Sequence, residues 1–261
     1  MPNAVTFCCK STSMLAFKTL LFSGVLFLSS SLFANPLRLA VASNFTVPIQ
    51  KLASIFEQET GQKIQVSFGS SGKFFAQIRH GAPFDVFLSA DQAKPDKLIS
   101  SGLALKDSKV IYAKGALALW SATLDSVMPV EETLLQARKV AIANPKLAPY
   151  GKAAEETLRK LGLWSKLQKH LVRGENIGQT YQFSYSKNAD LGFVALSQVL
   201  SGDIKGHFWK VPASYHTDIK QAAVVLTSSQ QKTAANAFLS FLMRSDIQQK
   251  ITEFGYQSAT Q

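Results

Sequence analysis

The sequence predicts an α/β protein made of two sub-domains, each with a mostly parallel sheet flanked by helices. Two observations carry this reading. Strand-like runs such as Leu37–Ala42 and Ile64–Phe68 are each followed by a segment with apolar residues at helical spacing, and that alternation means parallel strands under covering helices. The 261 residues exceed one average domain, and 46% hydrophobic with 17% charged residues is an ordinary globular balance.

The first 34 residues stand apart. They hold no Asp or Glu, carry Lys10 and Lys18, and lead into a charge-free run from Thr19 to Pro36 with Leu32-Phe33-Ala34 near its end. A basic start, an apolar middle and a small residue at the cut form a secretory signal, expected to be cleaved after Ala34. Either Met1 or Met14 serves as the start. The competing reading is a membrane-anchoring helix, but 18 residues that include four serines are marginal for spanning ~30 Å of hydrocarbon. Cys8 and Cys9 both fall in this leader, so the exported chain needs no disulfide despite an oxidising destination. No Leu-x-x-Cys ends the apolar run, which argues against a lipid anchor.

The elements follow in order. Leu37–Ala42 reads as a strand ending at Ser43-Asn44. Phe45, Ile49, Leu52, Ala53 and Phe56 then form one helix face, stopped by Gly61. Ile64–Phe68 is a second strand, running into Gly69-Ser70-Ser71-Gly72 and a short helix through Phe74, Phe75 and Ile78. Phe84–Leu88 is a buried strand, followed by a helix from Asp91 to about Ser101. Gly115–Trp120 and Lys139–Ala143 are further strands. Asn144 to Tyr150 is a loop opening a helix with Ala154, Leu158 and Leu161 on one face, and Asn176-Ile177-Gly178 opens another. Gly192–Leu196 and Ala222–Leu226 are buried strands, and Ala234, Ala237, Phe238, Phe241 and Leu242 line a last apolar helix face. Ser245-Asp-Ile-Gln248 has the form of a capping box.

Charge and motifs narrow the function. The chain carries 28 basic and 17 acidic residues; without Lys10 and Lys18 the exported part keeps 26 against 17, a net +9. An excess of positive charge suits an anionic partner, but the lysines are scattered, with no arginine-rich run to suggest nucleic acid. His80, His170, His207 and His216 have no metal-ligand spacing, so no direct ligands to a metal cation are expected. Gly69-Ser-Ser-Gly72 is not a nucleophile elbow and Gly72-Lys73-Phe74 is not a P-loop. Nothing in the chain points to an enzyme or to a cofactor.

What does recur is a small device. Ser43-Asn44, Ser70-Ser71, Tyr150-Gly151 and Asn176-Ile177-Gly178 all sit where a loop becomes a helix. The first backbone N–H groups of a helix lack intrahelical partners and carry the positive end of its dipole, so an oxyanion is the natural guest. Taken singly, each is equally well an ordinary N-cap.

Several stretches resemble the periplasmic molybdate-binding proteins of bacterial ABC importers. They are Val41–Phe45, Val66–Ser71, Gly81–Gln92, Ala143–Lys152, Asn176–Thr180, Leu191–Ala195 and Phe254–Tyr256, with Gly-Ala-Pro-x-Asp-Val-Phe-x-Ser-Ala-Asp-Gln the most specific. The resemblance implies the two-lobed type II periplasmic binding fold, with one lobe formed by residues 35–111 and 221–261 and the other by 112–220. It implies molybdate or tungstate as ligand, held by Ser43, Asn44, Ser71, Tyr150 and the backbone amide of Ile177. A membrane permease and its ATPase are the implied partners of a monomeric carrier. Many members of that family place a Tyr where this chain has Ala195, a departure that either weakens the site or means that Tyr150 supplies the hydroxyl from a different direction. Another oxyanion such as sulfate, or an enzyme or sensor domain on the same fold, is the alternative.

Overall fold

In the computed structural model of the chain, residues 35–204 and 206–258 are described; the leader read over residues 1–34 lies outside them. The chain runs β1 (Leu37–Ala42), α1 (Thr46–Thr60), β2 (Ile64–Gly69), α2 (Ser71–Arg79), β3 (Val86–Ser89), α3 (Ala93–Ser100) and β4 (Val110–Gly115). It then passes to β5 (Leu117–Ser121), α4 (Val130–Gln136), β6 (Val140–Ala143), α5 (Pro149–Lys160), the single-turn α6 (Trp164–Leu167) and β7 (Leu171–Gly174). After these come α7 (Ile177–Tyr185), β8 (Leu191–Ala195), α8 (Leu196–Ser201) and β9 (His207–Lys210). The return is β10 (Ile219–Val225), α9 (Lys232–Leu242) and α10 (Ser245–Glu253).

Two five-stranded sheets result, ordered β2-β1-β3-β10-β4 and β7-β6-β8-β5-β9. They are one arrangement built twice, although no repeat is visible in the sequence. In each, four strands share a direction and one opposes both neighbours: β10 between β3 and β4, and β5 between β8 and β9. Each reversed strand is the first that the chain makes after crossing between lobes. β4 stays paired with β10 as far as Gly115–Ile219, so the chain passes from the first sheet to the second at Ala116. Tyr112 moreover packs edge-on against Phe45 of the first lobe, with ring centroids 5.0 Å apart.

Local chemistry explains the main elements. The α1 helix buries Ile49, Leu52, Ala53 and Phe56, and ends at Gly61, whose φ of 71° is the left-handed conformation a glycine adopts freely. Its N–H closes on the Glu57 carbonyl. Phe56 meets Phe238 and Phe241 of α9 edge-on, so truncating Phe56 to Ala is expected to cost about 3–5 kcal/mol. Parallel register of Leu37 with Ile64 through Ala42 with Gly69 brings Ser43 and Ser70 out side by side at the same end of the sheet.

Three readings change. Gly115 closes β4 rather than opening β5, and Leu196 opens α8 rather than closing β8. The capping box at Ser245 is absent: Arg244 is the N-cap, and no side chain caps the helix. Gln248 is drawn inward, donating to the Tyr112 and Leu242 carbonyls. Asp85, the first of two acidic residues in the most specific stretch, is fully buried and structural. It accepts from the Arg38 N–H at 2.8 Å, the Arg38 Nε at 3.3 Å and the Ser229 hydroxyl at 2.8 Å, tying β1 to the turn after β10.

Candidate functional site

The carboxyl ends of the parallel strands in both sheets meet at one place, as expected for ligand sites of open α/β sheets. There a small pocket is lined by Ser43 and Asn44 after β1, Ser70 and Ser71 after β2, Ala90 after β3, Pro149 and Tyr150 at the start of α5, and Ile177 at the start of α7. Ala42, Gly69 and Ala148 complete the wall. All five residues singled out from the sequence are therefore on one cavity, three from the first lobe and two from the second. None is more than 7% exposed.

No lining residue is ionisable except Tyr150, and burial pushes its hydroxyl well above the ordinary value of 10, the neighbouring Tyr256 and Tyr112 adding to the shift. What the wall offers is hydroxyl and backbone N–H donors. Among the described residues no cluster of His, Cys, Asp or Glu is arranged to hold a metal cation.

The two serines at the head of α2 divide the work. Ser70 is the N-cap, accepting from the Lys73 N–H at 3.2 Å. Ser71 follows at the first helical position and accepts from the Ala90 N–H at 2.9 Å, so its own proton is available to the cavity. At α7 the Asn176 side chain caps the Gln179 N–H, and the Thr180 N–H reaches the Asn176 carbonyl. The Gly178 N–H goes to the Ser43 hydroxyl at 3.2 Å. The Ile177 N–H has no protein acceptor among the described residues, as expected for the first position of a helix.

Ser43 and Asn44 are placed at the wall but already engaged. The Ser43 hydroxyl donates to Asn176 Oδ1 at 3.1 Å, across the cleft. Asn44 Nδ2 points away from the wall into a buried network, donating to Gln221 Oε1 at 2.8 Å and the Tyr256 hydroxyl at 3.0 Å. Tyr256 in turn donates to the Asn44 carbonyl at 2.8 Å, and Ser197 of the second lobe donates to that carbonyl at 3.1 Å. Tyr150 reaches the same network, where Gln221 Nε2 donates to its hydroxyl at 3.3 Å. Ala195 is fully buried with its N–H on Gln198 Oε1; its methyl brings no donor.

Sequence reading missed this inner network of Gln221, Tyr112, Tyr256 and Ser197. Gln221 gave no clear signal: beside Lys220 it reads as the polar edge of the apolar run Ala222–Leu226, and only its burial in β10 shows that it needs partners. The lobes are also joined directly. The Gly72 N–H donates to the Leu147 carbonyl at 2.8 Å, and Lys73 pairs with Glu175 at 2.9 Å.

Comparison with known proteins matches residues 37–257 to the family described as bacterial extracellular solute-binding protein. The chain is 44% identical over 220 residues to the molybdate-binding protein ModA of Rhodobacter capsulatus, covering 83% of this chain and 86% of that one. It is 43% identical over 227 residues to ModA of Azotobacter vinelandii, covering 85% and 90%. Among solved structures it is similar to the Azotobacter vinelandii periplasmic molybdate-binding protein, with a TM-score of 0.81 and 40% identity over 85% of this chain and 98% of that one.

Proposed function

The chain belongs to the bacterial extracellular solute-binding proteins, and on that premise we propose that it captures molybdate, and tungstate alongside it, for an ABC importer. The observation that carries this is the wall itself, eleven residues without a Lys, Arg, Asp or Glu. A site of neutral donors binds a dianion by many directed hydrogen bonds, each worth about 1.5–3 kcal/mol to a charged acceptor. It discriminates by the size of the ring of donors. The Ser71 and Tyr150 hydroxyls and the Ile177 N–H serve as donors. Ser43 turns its hydroxyl from Asn176 to the anion, and Asn44 contributes through its backbone N–H because its side-chain amide is committed to Gln221 and Tyr256.

Capture works by closure. Ser43, Asn44 and Ser71 belong to one lobe, Tyr150 and Ile177 to the other, so the full donor set exists only when the lobes meet. The closed carrier docks, as a monomer, on the permease and ATPase subunits of the importer and gives up its cargo without chemical turnover. Residues 1–34 act as a signal removed during export to the periplasm, so the working chain starts at Asn35; N-terminal sequencing of periplasmic protein checks this.

Titration calorimetry of the exported chain with molybdate, tungstate, sulfate and phosphate tests the function. Molybdate and tungstate should compete for one site per chain. Sulfate, a smaller ion, leaves donors unpaired at about 1–3 kcal/mol each, so two such losses weaken it by roughly 10²-fold. Equal affinities for sulfate and molybdate would sink the molybdate reading.

A further inference from the structure

We propose that Gln221 is a positioning residue that sets which way the Tyr150 hydroxyl proton points, an inference that rests on the oxyanion reading above. Gln221 is fully buried in β10, where the register against β4 shifts. It does not line the anion cavity, so any effect it has on a ligand passes through its neighbours.

The orientation of the amide is held by what meets its oxygen. Its Oε1 accepts from Asn44 Nδ2 at 2.8 Å and from the Tyr112 hydroxyl at 3.0 Å. Rotating the amide by half a turn would set its NH₂ against the Asn44 NH₂, which can only donate. Nε2 is thereby held towards Tyr150, whose hydroxyl it reaches at 3.3 Å. A phenol has a single proton to give. With the Gln221 N–H occupying its oxygen, that proton must leave in another direction. Tyr112 already gives its proton to Gln221 Oε1, and Tyr256, which donates to the Asn44 carbonyl and keeps one lone pair after accepting from Asn44 Nδ2, is the neutral acceptor within reach of Tyr150. An anion in the pocket that Tyr150 lines offers the same proton a charged and therefore stronger acceptor.

An oxyanion presents acceptors only, so it rejects a hydroxyl that arrives lone pair first. Gln221 thus makes Tyr150 a dedicated donor, and does so across the cleft, since Gln221 stands in the first lobe and Tyr150 in the second. The backbone leaves room for the pair at Gly115. A Cβ there would lie 2.1 Å from the Tyr150 hydroxyl and 2.9 Å from Gln221 Nε2.

Two measurements test this. Neutron diffraction on the perdeuterated, ligand-free chain should place a Gln221 deuteron on the line to the Tyr150 oxygen and the Tyr150 deuteron off it. A Tyr150 deuteron directed at Gln221 overturns the proposal whatever the chain binds, and this needs no variant that must fold. Molybdate titrations of Gln221→Met, Tyr150→Phe and the double variant supply the second. Gln221→Met should weaken binding by roughly 10-fold or more in the parent chain, but by under about 2-fold once Tyr150 is Phe, because coupled residues are not additive. Equal losses in both backgrounds would mean that Gln221 only packs, and would overturn it. If the parent chain binds no molybdate, the oxyanion reading falls and the neutron map judges Gln221 by itself.

Discussion

Gly72 of one lobe gives its backbone N–H to the Leu147 carbonyl of the other at 2.8 Å, and a methyl group on its α-carbon would stand 2.7 Å from that same oxygen. The contact is to backbone on both sides, so neither partner can rotate away. Full closure at this seam therefore depends on a hydrogen atom where every other residue has a carbon.

Gly72→Ala separates closure from folding. Inside α2, Ala is the better helix former by about 1 kcal/mol, so the ligand-free variant should melt no lower than the parent. Molybdate affinity should nonetheless fall by roughly 10-fold or more, since a lost interlobe hydrogen bond to a now crowded carbonyl costs at least about 1.4 kcal/mol. Calorimetry beside thermal melts reads both; an unchanged affinity would show that the seam yields.

Ser70 and Ser71 are adjacent and should behave oppositely. Ser70→Ala removes the N-cap bond to the Lys73 N–H and should cost about 1 kcal/mol of stability with little change in binding. Ser71→Ala removes a hydroxyl on the cavity wall, and Tyr150→Phe another, so each should weaken molybdate binding by roughly 10- to 150-fold. Stability curves and titrations of the three variants side by side decide it. A Ser71 variant that loses stability but keeps its affinity would make that hydroxyl only the acceptor for the Ala90 N–H.

Asp85 provides the converse test. Replacing it with Ala strips the Arg38 N–H and the Ser229 hydroxyl of their acceptor, which should lower stability by about 3 kcal/mol. The protein that remains folded should bind molybdate as the parent does. A denaturant midpoint shift without a change in dissociation constant is the expected signature.

The buried tyrosines fix the alkaline limit. Burial pushes the Tyr256 hydroxyl from its ordinary 10.0 up to about 12, against hydrogen bonds from Ser197 and Asn44 that pull it down. Between those two values the folded chain holds a proton that the unfolded chain has released, so stability falls as pH rises through about 10 to 12. Below pH 10 the contribution is fully present, and Tyr150, also raised by burial, keeps its donor proton there. Melting temperature against pH should show this decline in the parent and a shallower one in Tyr256→Phe, while molybdate affinity stays flat from pH 7 to about 9.

Much of this was legible because it depends on local pattern. The apolar strands β1, β2, β3, β6 and β8 and the helix stop at Gly61 announce themselves by periodicity and by one permissive residue. Ser43, Ser71, Tyr150 and Ile177 stand at strand-to-helix junctions, and parallel strands in register carry their ends to one place. The strands that escaped are short or at an edge. Leu171–Gly174 and His207–Lys210 have four residues each, too few to show alternation, and Val110–Gly115 merges into the next run. The partners of Asn44 and Tyr150 were out of reach for another reason: Gln221 and Tyr256 are 177 and 212 residues from Asn44. Only the return of the chain into the first sheet brings them there.

That return also governs how the protein can be made. Strand β10 does not extend the first sheet at its rim but sits between β3 and β4, which are joined to each other only through it. While the chain is being synthesised, the second lobe can finish as soon as β9 emerges, whereas the first must wait with its centre missing. A nascent chain released or cut before Ile219 would lack the middle of a sheet rather than a tail, and would expose two unpaired strand edges to any neighbour able to fill them.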